Sequence, residues 1–294
     1  MNILKRKAGM LILFSAFVCA CSITSAQDYY GGGGGSWRRK PANDQPPPKD
    51  AKQNSEPSGY TSINIGLADP VGSFANSFGA GYGGYALSGL GYHFAFAIPI
   101  SHSNFGLAFM FGGYNNQYDL NNYVNYLANT NPYPNSIEYG NVSGGVNNVY
   151  SESSILGGLY VTYPIGRLSI DGRLMAGVLL NSLPEQAYGT VDSANNQTVY
   201  DLQTTYPTSF AVDAGIGLRC FIARLGRRQL CAMVNVDYLY SNVSYTTTQV
   251  VDYTPSANNP YGNYYESYNT ISGHLPISLL NITFGLGYQF GGDE

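Results

Sequence analysis

Five ionisable residues stand at alternating positions of three apolar stretches: Asp171 and Arg173, Asp213 and Arg219, and Asp237. Successive side chains of an extended chain point to opposite faces, so these charges share a face that Ile170, Leu174, Val212, Ile216, Val236 and Tyr238 do not. Charges on an enclosed face must pair, because an unpaired ion in a low-dielectric interior is costly. The spacing therefore predicts a mixed ion-pair and hydrogen-bond network that fills the interior of a closed sheet and blocks free passage. The functional counterpart of such a network is a gate or a polar filter.

Catalysis has little to work with. A nucleophile, a histidine and an acid would have to meet near one rim, and the chain holds only His93, His102 and His274. His93 falls among Gly and Ala on the inward parity, His102 lies in a short turn, and His274 stands two residues from Ser272, which is a weak signal. There is no Cys/His metal spacing, phosphate-cradling glycine loop or nucleotide fingerprint. The expectation is a protein without enzymatic activity and without a cofactor.

The elements that would position these charges are eight stretches alternating apolar with polar or small residues. They carry Ile63, Ile65 and Leu67; Leu90 to Ile100; Phe105 to Phe111; Ile155 to Ile165; Leu168 to Leu180; Phe210 to Leu218; Leu230 to Tyr240; and finally Ile282, Phe284, Leu286, Tyr288 and Phe290. Most reach the roughly 9–11 residues that a tilted strand needs to cross hydrocarbon. A period of two suits a strand with lipid on one side and a polar lumen on the other, and unsatisfied backbone groups in lipid force the sheet to close. Only 11% of residues are charged, against about 25% in a typical soluble domain. Tyr (27) and Gly (36) fill the gap, as interfacial aromatics and small lumen residues do in membrane barrels.

Connection lengths alternate as well. Ser101 to Asn104, Gly166 to Arg167 and Ala223 to Arg228 are short, whereas Ala68 to Gly84, Tyr114 to Ser153, Asn181 to Thr208 and Asn242 to His274 are long. Short turns on one side and long loops on the other mark an up-and-down barrel with periplasmic turns and extracellular loops. The expected fold is all-β: an eight-stranded antiparallel transmembrane β-barrel over 59–294. A ten-stranded barrel with one more hairpin in Tyr114 to Ser153 is the rival.

The N-terminus supplies a route to such a membrane. Lys5-Arg6-Lys7 precede the apolar run Ala8 to Ala20, and Thr24-Ser25-Ala26 offer small residues before a cut, as in a secretory signal peptide over 1–26. Val18-Cys19-Ala20-Cys21 is a competing lipoprotein processing site. Residues 27–58, with Gly31 to Gly35 and Pro46-Pro47-Pro48, have almost nothing to bury and are expected to form a disordered periplasmic tether. An exported chain meets an oxidising compartment, which makes Cys220 and Cys231, on either side of the arginine-rich turn, a disulfide candidate. Parity puts Cys220 outside and Cys231 inside; a β-bulge near the turn would reconcile them.

From Gly59 onward there is no lysine, and the six arginines fall in short turns or on the inward parity. The long loops instead hold Asp69, Asp119, Glu138, Glu152, Glu185, Asp192, Asp201, Asp252 and Glu266. Binding of nucleic acid, heparin-like polyanions or phosphate through the loops is thereby disfavoured, since such partners need Lys or Arg to replace counterions, and no nucleic-acid partner is expected. The loops are rich in tyrosine and asparagine, including Tyr118, Tyr123, Tyr126, Tyr133, Tyr139, Tyr253, Tyr261, Tyr264, Tyr265 and Tyr268. Such surfaces either recognise protein or glycan or pack on one another.

Asp69-Pro70-Val71-Gly72-Ser73-Phe74, the strand endings Phe96-Ala97-Ile98-Pro99-Ile100 and Tyr163-Pro164-Ile165-Gly166, and the terminal strand resemble the small outer-membrane β-barrel family related to OmpA, OmpX and OmpW, in its Bacteroidota form. The resemblance spans Gly59 to Phe290. It implies that Thr283, Gly285, Tyr288 and Phe290 serve as the insertion signal for the barrel assembly machinery, although Gly291 to Glu294 follow the final aromatic. It also implies an outer-membrane location, lipid and lipopolysaccharide as surroundings, and loops that serve recognition, adhesion or envelope integrity. A narrow OmpW-like conduit for small or hydrophobic molecules is the alternative, and a lipid-modifying enzyme a third possibility.

Overall fold

Alternation of apolar and polar residues dictates strands, and strands with a two-sided pattern bury one face only when the sheet curls on itself. The computed structural model describes residues 59–75, 84–101, 103–130, 149–191, 196–203, 205–225, 228–255 and 263–290. The expected leader 1–26, the tether 27–58 and His102 lie outside the described residues. Among the described residues, ten strands and one helix follow in the order β1 (Gly59–Pro70), β2 (Gly89–Pro99), β3 (Phe105–Gln117), α1 (Leu120–Thr130), β4 (Val149–Ile165), β5 (Leu168–Ser182), β6 (Gln186–Val191), β7 (Gln197–Leu202), β8 (Thr208–Leu225), β9 (Arg228–Thr254) and β10 (Tyr265–Phe290).

Eight of these strands form a ring, β1-β2-β3-β4-β5-β8-β9-β10, closed by antiparallel pairing of β10 with β1. The eight-stranded antiparallel barrel anticipated from the sequence is therefore the observed architecture. The row of paired residues starting at Tyr60 runs through Ala97, Ala108, Gly158, Met175, Asp213, Leu239 and Leu279 and returns to β1 at Pro70, ten positions above its origin. A stagger of that size tilts the strands steeply against the barrel axis.

The faces are inverted relative to a water-soluble protein. Ile63 is 71% exposed and Leu174 62%, and Leu107, Phe111, Ile155, Phe210, Ile216 and Leu286 also point outward, while Asn64, Asp171, Arg173 and Asn235 are buried. The short connections between β2 and β3, β4 and β5, and β8 and β9 lie at one end, where Gly59 also pairs with Phe290. The long connections lie at the other, here called the outer end.

Three expectations need correction. The anticipated fourth loop, Asn242 to His274, is mostly strand: β9 and β10 stay paired from Asn242↔Pro276 up to Tyr253↔Tyr265, because runs such as Tyr245-Thr246-Thr247-Thr248-Gln249-Val250-Val251 are as strand-prone as the wall below. The described part of the Tyr114 to Ser153 segment holds the end of β3, α1 and the start of β4 and no further hairpin; among the described residues the extra hairpin is β6–β7, with β7 pairing to β9 beyond the outer end of β8. Cys231 is a free, buried thiol, so it forms no disulfide with Cys220. A bulge does occur near the turn, but it lies between Phe221 and Ala223, past Cys220, and leaves Cys231 opposite Phe221.

The closing seam tolerates no side chain at Gly66, where a Cβ would lie 2.0 Å from the Ile282 carbonyl oxygen of β10. Gly66→Val is expected to destabilise the closed barrel by about 1–3 kcal/mol, the usual cost of overpacking. The shift of the urea midpoint of detergent-refolded protein, followed by the loss of the compact band on unheated gels, checks it.

Candidate functional site: the lumen and its outer cap

Two buried ion pairs organise the half of the lumen nearest the short turns. Arg219 of β8 meets Asp171 of β5 through two hydrogen bonds, Nε to Oδ2 and Nη2 to Oδ1, each 3.0 Å, and Nη2 also donates to Thr162 Oγ1 at 3.0 Å. Arg173 of β5 donates to Asp237 Oδ1 of β9 at 2.7 Å, to Asn235 Oδ1 at 3.0 Å and to the Tyr60 hydroxyl at 3.2 Å. Bidentate and multiply bonded guanidinium contacts of this kind are the ones that offset the cost of desolvating the charges.

Tyr60 ties the two pairs together across the lumen. Its hydroxyl accepts from Arg173, while the Arg219 guanidinium lies 4.6 Å from its ring centroid and Tyr160 packs edge-on at 5.9 Å. Asn235 extends the network to β1 by donating to Asn64 Oδ1 at 3.0 Å, and Asn64 donates to Ser62 Oγ at 2.9 Å. The result is a cross-braced polar plug.

Glycines clear the path for these contacts. Asp237 and Arg173 sit on β9 and β5, with β8 between them, and both are register partners of Gly215. A Cβ on Gly215 would lie 1.8 Å from Asp237 Oδ1, and one on Gly217 2.6 Å from Asn235 Oδ1. Gly285, which the family resemblance assigns to the insertion signal, does the same for Asn64, whose Oδ1 would be 2.2 Å from an added Cβ. Of the other residues so assigned, Thr283 is buried in the lumen, Tyr288 points outward, and Phe290 stacks on Phe96 at 5.8 Å.

The five predicted network residues do not all join. Four form the two pairs; Asp213, opposite Met175 and Leu239, is buried, and its carboxylate oxygens have no hydrogen-bond partner among the described residues. Glu152, counted among the loop acids, belongs here instead: it lies on β4, 1% exposed, facing inward. The signal was present in the sequence, since Glu152 keeps the parity of Ser154, Leu156 and Tyr160. Tyr60, Asn64 and Asn235 were missed altogether, because nothing local distinguishes a cross-lumen partner from any other inward polar residue.

The outer end is closed by aromatic packing. Phe74 and Tyr85 from the β1–β2 connection, Tyr118 and Tyr123 around the start of α1, and Tyr150 of β4 interlock at centroid distances of 5.0–6.1 Å. Tyr150 donates to the Gly84 carbonyl at 2.7 Å, and Asn116 Nδ2 donates to Ala68 O and Leu87 O, each at 2.9 Å. Asp119 caps α1 by accepting from the Asn122 backbone N–H at 3.1 Å. Leu183, Val243, Leu275 and Ile277 continue this core down into the barrel. Tyr85 holds φ at 50°, a left-handed backbone unusual for an aromatic residue, within this cluster. Much of the loop tyrosine thus packs inward; Tyr133, Tyr139 and Tyr261 lie outside the described residues.

The one histidine placed for chemistry is paired differently from the expectation. His274 Nδ1 shares a 2.9 Å hydrogen bond with Ser244 of the neighbouring strand, and Ser272 bonds Thr246 at 3.0 Å. Both pairs are on the exposed face of the β9–β10 ribbon.

Removing one partner of a buried ion pair costs about 3–5 kcal/mol. Arg173→Met is expected to destabilise by that order, and Gly215→Ala to weaken the same pair by obstruction; urea unfolding of each variant checks both. Burial, and to a lesser extent neighbouring phenols, raises the pKa of Tyr118 and Tyr85 above the ordinary 10.0. Protonated phenols therefore stabilise the cap fully below that value, and the stabilisation is lost as pH rises past it. Near-ultraviolet circular dichroism should lose its aromatic signal above about pH 10 before the far-ultraviolet strand signal changes.

No protein-family model matches the chain, and no curated protein sequence does either. Solved structures similar to it include Neisserial surface protein A, at 10% identity and a TM-score of 0.35, covering 78% of this chain and 95% of that one. A major outer membrane protein from Thermus thermophilus aligns at 12% identity and a TM-score of 0.33, covering 79% and 98%. The outer membrane protein AlkL aligns at 18% identity and a TM-score of 0.30, covering 85% and 97%. At these scores the fold of this chain rests on its own strand register.

Proposed function

We propose that the chain is an integral protein of a bacterial outer membrane, without catalytic activity, whose outer sheet recognises an extended partner at the cell surface. The location is supported by the belt of exposed Ile, Leu, Phe and Val around a polar, charge-bearing interior, which only a lipid surrounding makes favourable. Tyr238 and Tyr240 end the belt on β9, and above them the outward face turns polar at Asn242, Ser244 and Thr246. Tyr163 and Tyr288 hold the corresponding place near the short turns. Such positions suit interfacial aromatics.

Recognition rests on one observation. The outer sheet β6-β7-β9-β10 extends past the belt with unpaired edges, since β10 pairs with β1 only from Leu279 to Phe290 and its Tyr265 to Ile277 segment has no strand on that side among the described residues. An unpaired edge is a template for an added strand. Tyr264, Tyr265 and Tyr268 are exposed beside it, and Glu266 with Asp252 gives the surroundings an acidic character. An extended, neutral or basic polypeptide fits this edge; a polyanion does not. Lipopolysaccharide surrounds the barrel as membrane in this reading.

Both ends of the lumen are closed by side chains, which favours recognition over the conduit alternative. Blunting the edge with Thr270→Lys and Ser272→Lys is expected to lower binding of the intact barrel to immobilised surface or matrix polypeptides at least tenfold, with the barrel still folded. In planar bilayers the wild-type protein should show no discrete openings. Openings abolished by substitutions at Asp171, Arg173 or Asp213, or binding indifferent to the lysines, would overturn the reading.

A further inference from the structure

The outward wall of the barrel carries a bare spot. Gly59, Gly113 and Gly157 face outward, and each is covered by the ring of its register partner on the next strand: an added Cβ would lie 2.5 Å from Phe290, 2.4 Å from Tyr92 and 3.4 Å from Phe109. Gly172 faces the same way between Val161 and Ile216, yet among the described residues only Val161 Cγ1, at 3.0 Å, would meet a Cβ there. A glycine inside a strand weakens it and often marks the close approach of a ligand.

The spot opens into an apolar cleft of about 570 Å³, within the roughly 300–1,000 Å³ range of ligand sites. Two ladder rows of outward side chains shape it, one from Phe105 through Gly172 to Val236 and the next from Leu159 through Ala214 to Leu280. The floor between them is backbone, since Tyr160 and Arg173 send their side chains into the lumen. Ladder rows rise toward the outer end in the direction from β3 to β10, so the cleft climbs obliquely from Phe105, beside a short turn, to Tyr238.

Position and charge select the occupant. The cleft lies within the apolar belt, where hydrocarbon is the surrounding medium, and a close fit there gains dispersion contacts that an unfilled dent loses. A second barrel fits poorly, because two upright cylinders touch along a line parallel to their axes while this cleft winds round the wall. A flexible acyl chain can follow it. A phosphate-bearing head group is favoured at the short-turn end, where Arg167 stands in the turn joining β4 and β5, and disfavoured beside the acidic outer connections. Gly172 lies roughly 16 Å of strand from Arg167 at about 3.3 Å per residue, comparable with half of a hydrocarbon core about 30 Å thick.

We propose that this cleft binds one acyl chain of a phospholipid as an ordered ligand. The head group sits at the short-turn rim beside Arg167, and the chain runs up over Gly172 and Ala214 toward Tyr238. The proposal rests on the membrane location inferred above.

The test reconstitutes the full chain in phosphatidylethanolamine vesicles doped with a phosphatidylethanolamine that carries a diazirine in one acyl chain, followed by irradiation and peptide mapping. Label on the cleft segments of β4, β5 and β8 is expected several-fold above that on the opposite wall, β1 and β2. A diazirine near the head group should mark Phe105 and Val161, and one near the chain end Ala214 and Tyr238. Gly172→Leu, which fills the floor from the lipid side, should bring the cleft down to the level of the opposite wall while keeping the compact band on unheated gels. Uniform labelling of inserted wild type overturns the proposal alone, whether or not the variant folds. So does the reverse depth order, which means a lipid entering from the outer leaflet, or a dimer that Gly172→Leu dissociates, which means a second barrel in the cleft. Failure of the wild type to insert at all would overturn the membrane location and the proposal with it.

Discussion

Closure of the eight-stranded ring is the constraint on which everything else depends. Each strand offers one greasy and one polar face, and only the pairing of Gly59–Pro70 with Leu279–Phe290 turns those faces into an outside and an inside. Once the seam is made, the stagger of ten residues fixes which inward side chains meet across the lumen. Arg173, Tyr60 and Asn235 come from three different strands and meet only because the sheet is bent into a cylinder of this size. The links from Tyr60 and Asn64 of β1 to Arg173 and Asn235 consequently report on closure, whereas the two ion pairs join strands β5, β8 and β9 that are neighbours in the sheet.

Inside that cylinder the lumen is layered. Guanidinium–carboxylate pairs fill the end with short turns, the buried acids Glu152 and Asp213 lie further out, and interlocked aromatics close the outer end. Each layer uses a different physical means of filling space. Ion pairs require glycine clearance, as at Gly215, while the cap requires only volume and edge-to-face geometry. The outer sheet is attached to this stack without interrupting it, because β9 and β10 are wall below and ribbon above.

How much of this was legible in the sequence follows from the range of the interactions involved. The outward set from Ile63 to Leu286 is a property of local alternation, so parity alone identified it, along with the inward placement of Asp171, Arg173, Asp213, Arg219 and Asp237. Who pairs with whom is non-local. That Arg173 reaches Asp237 over Gly215, or that Asp213 is left alone, depends on stagger and on the absence of a side chain on the intervening strand. Glu152 was misplaced by a boundary error of a few residues: β4 begins at Val149, whereas the apolar signal becomes clear only at Ile155. The continuation of β9 and β10 was hidden because polar Thr, Ser and Asn on a water-exposed ribbon read as loop. For Cys220 and Cys231 a bulge was the right device, but its position past Cys220 decided the outcome.

The sharing of β9 and β10 between wall and ribbon has a mechanical consequence. Uninterrupted pairing from Gln229↔Gln289 to Tyr253↔Tyr265 makes one long ladder whose strands run from the tip of the ribbon to the far rim of the cylinder. Traction applied at the tip pulls along the strands, so the rungs carry the load in parallel and do not unzip one after another. Asp237 and Asn281 sit on that same ladder at the depth of the lumen, which makes the interior the mechanical anchor for whatever pulls on the surface.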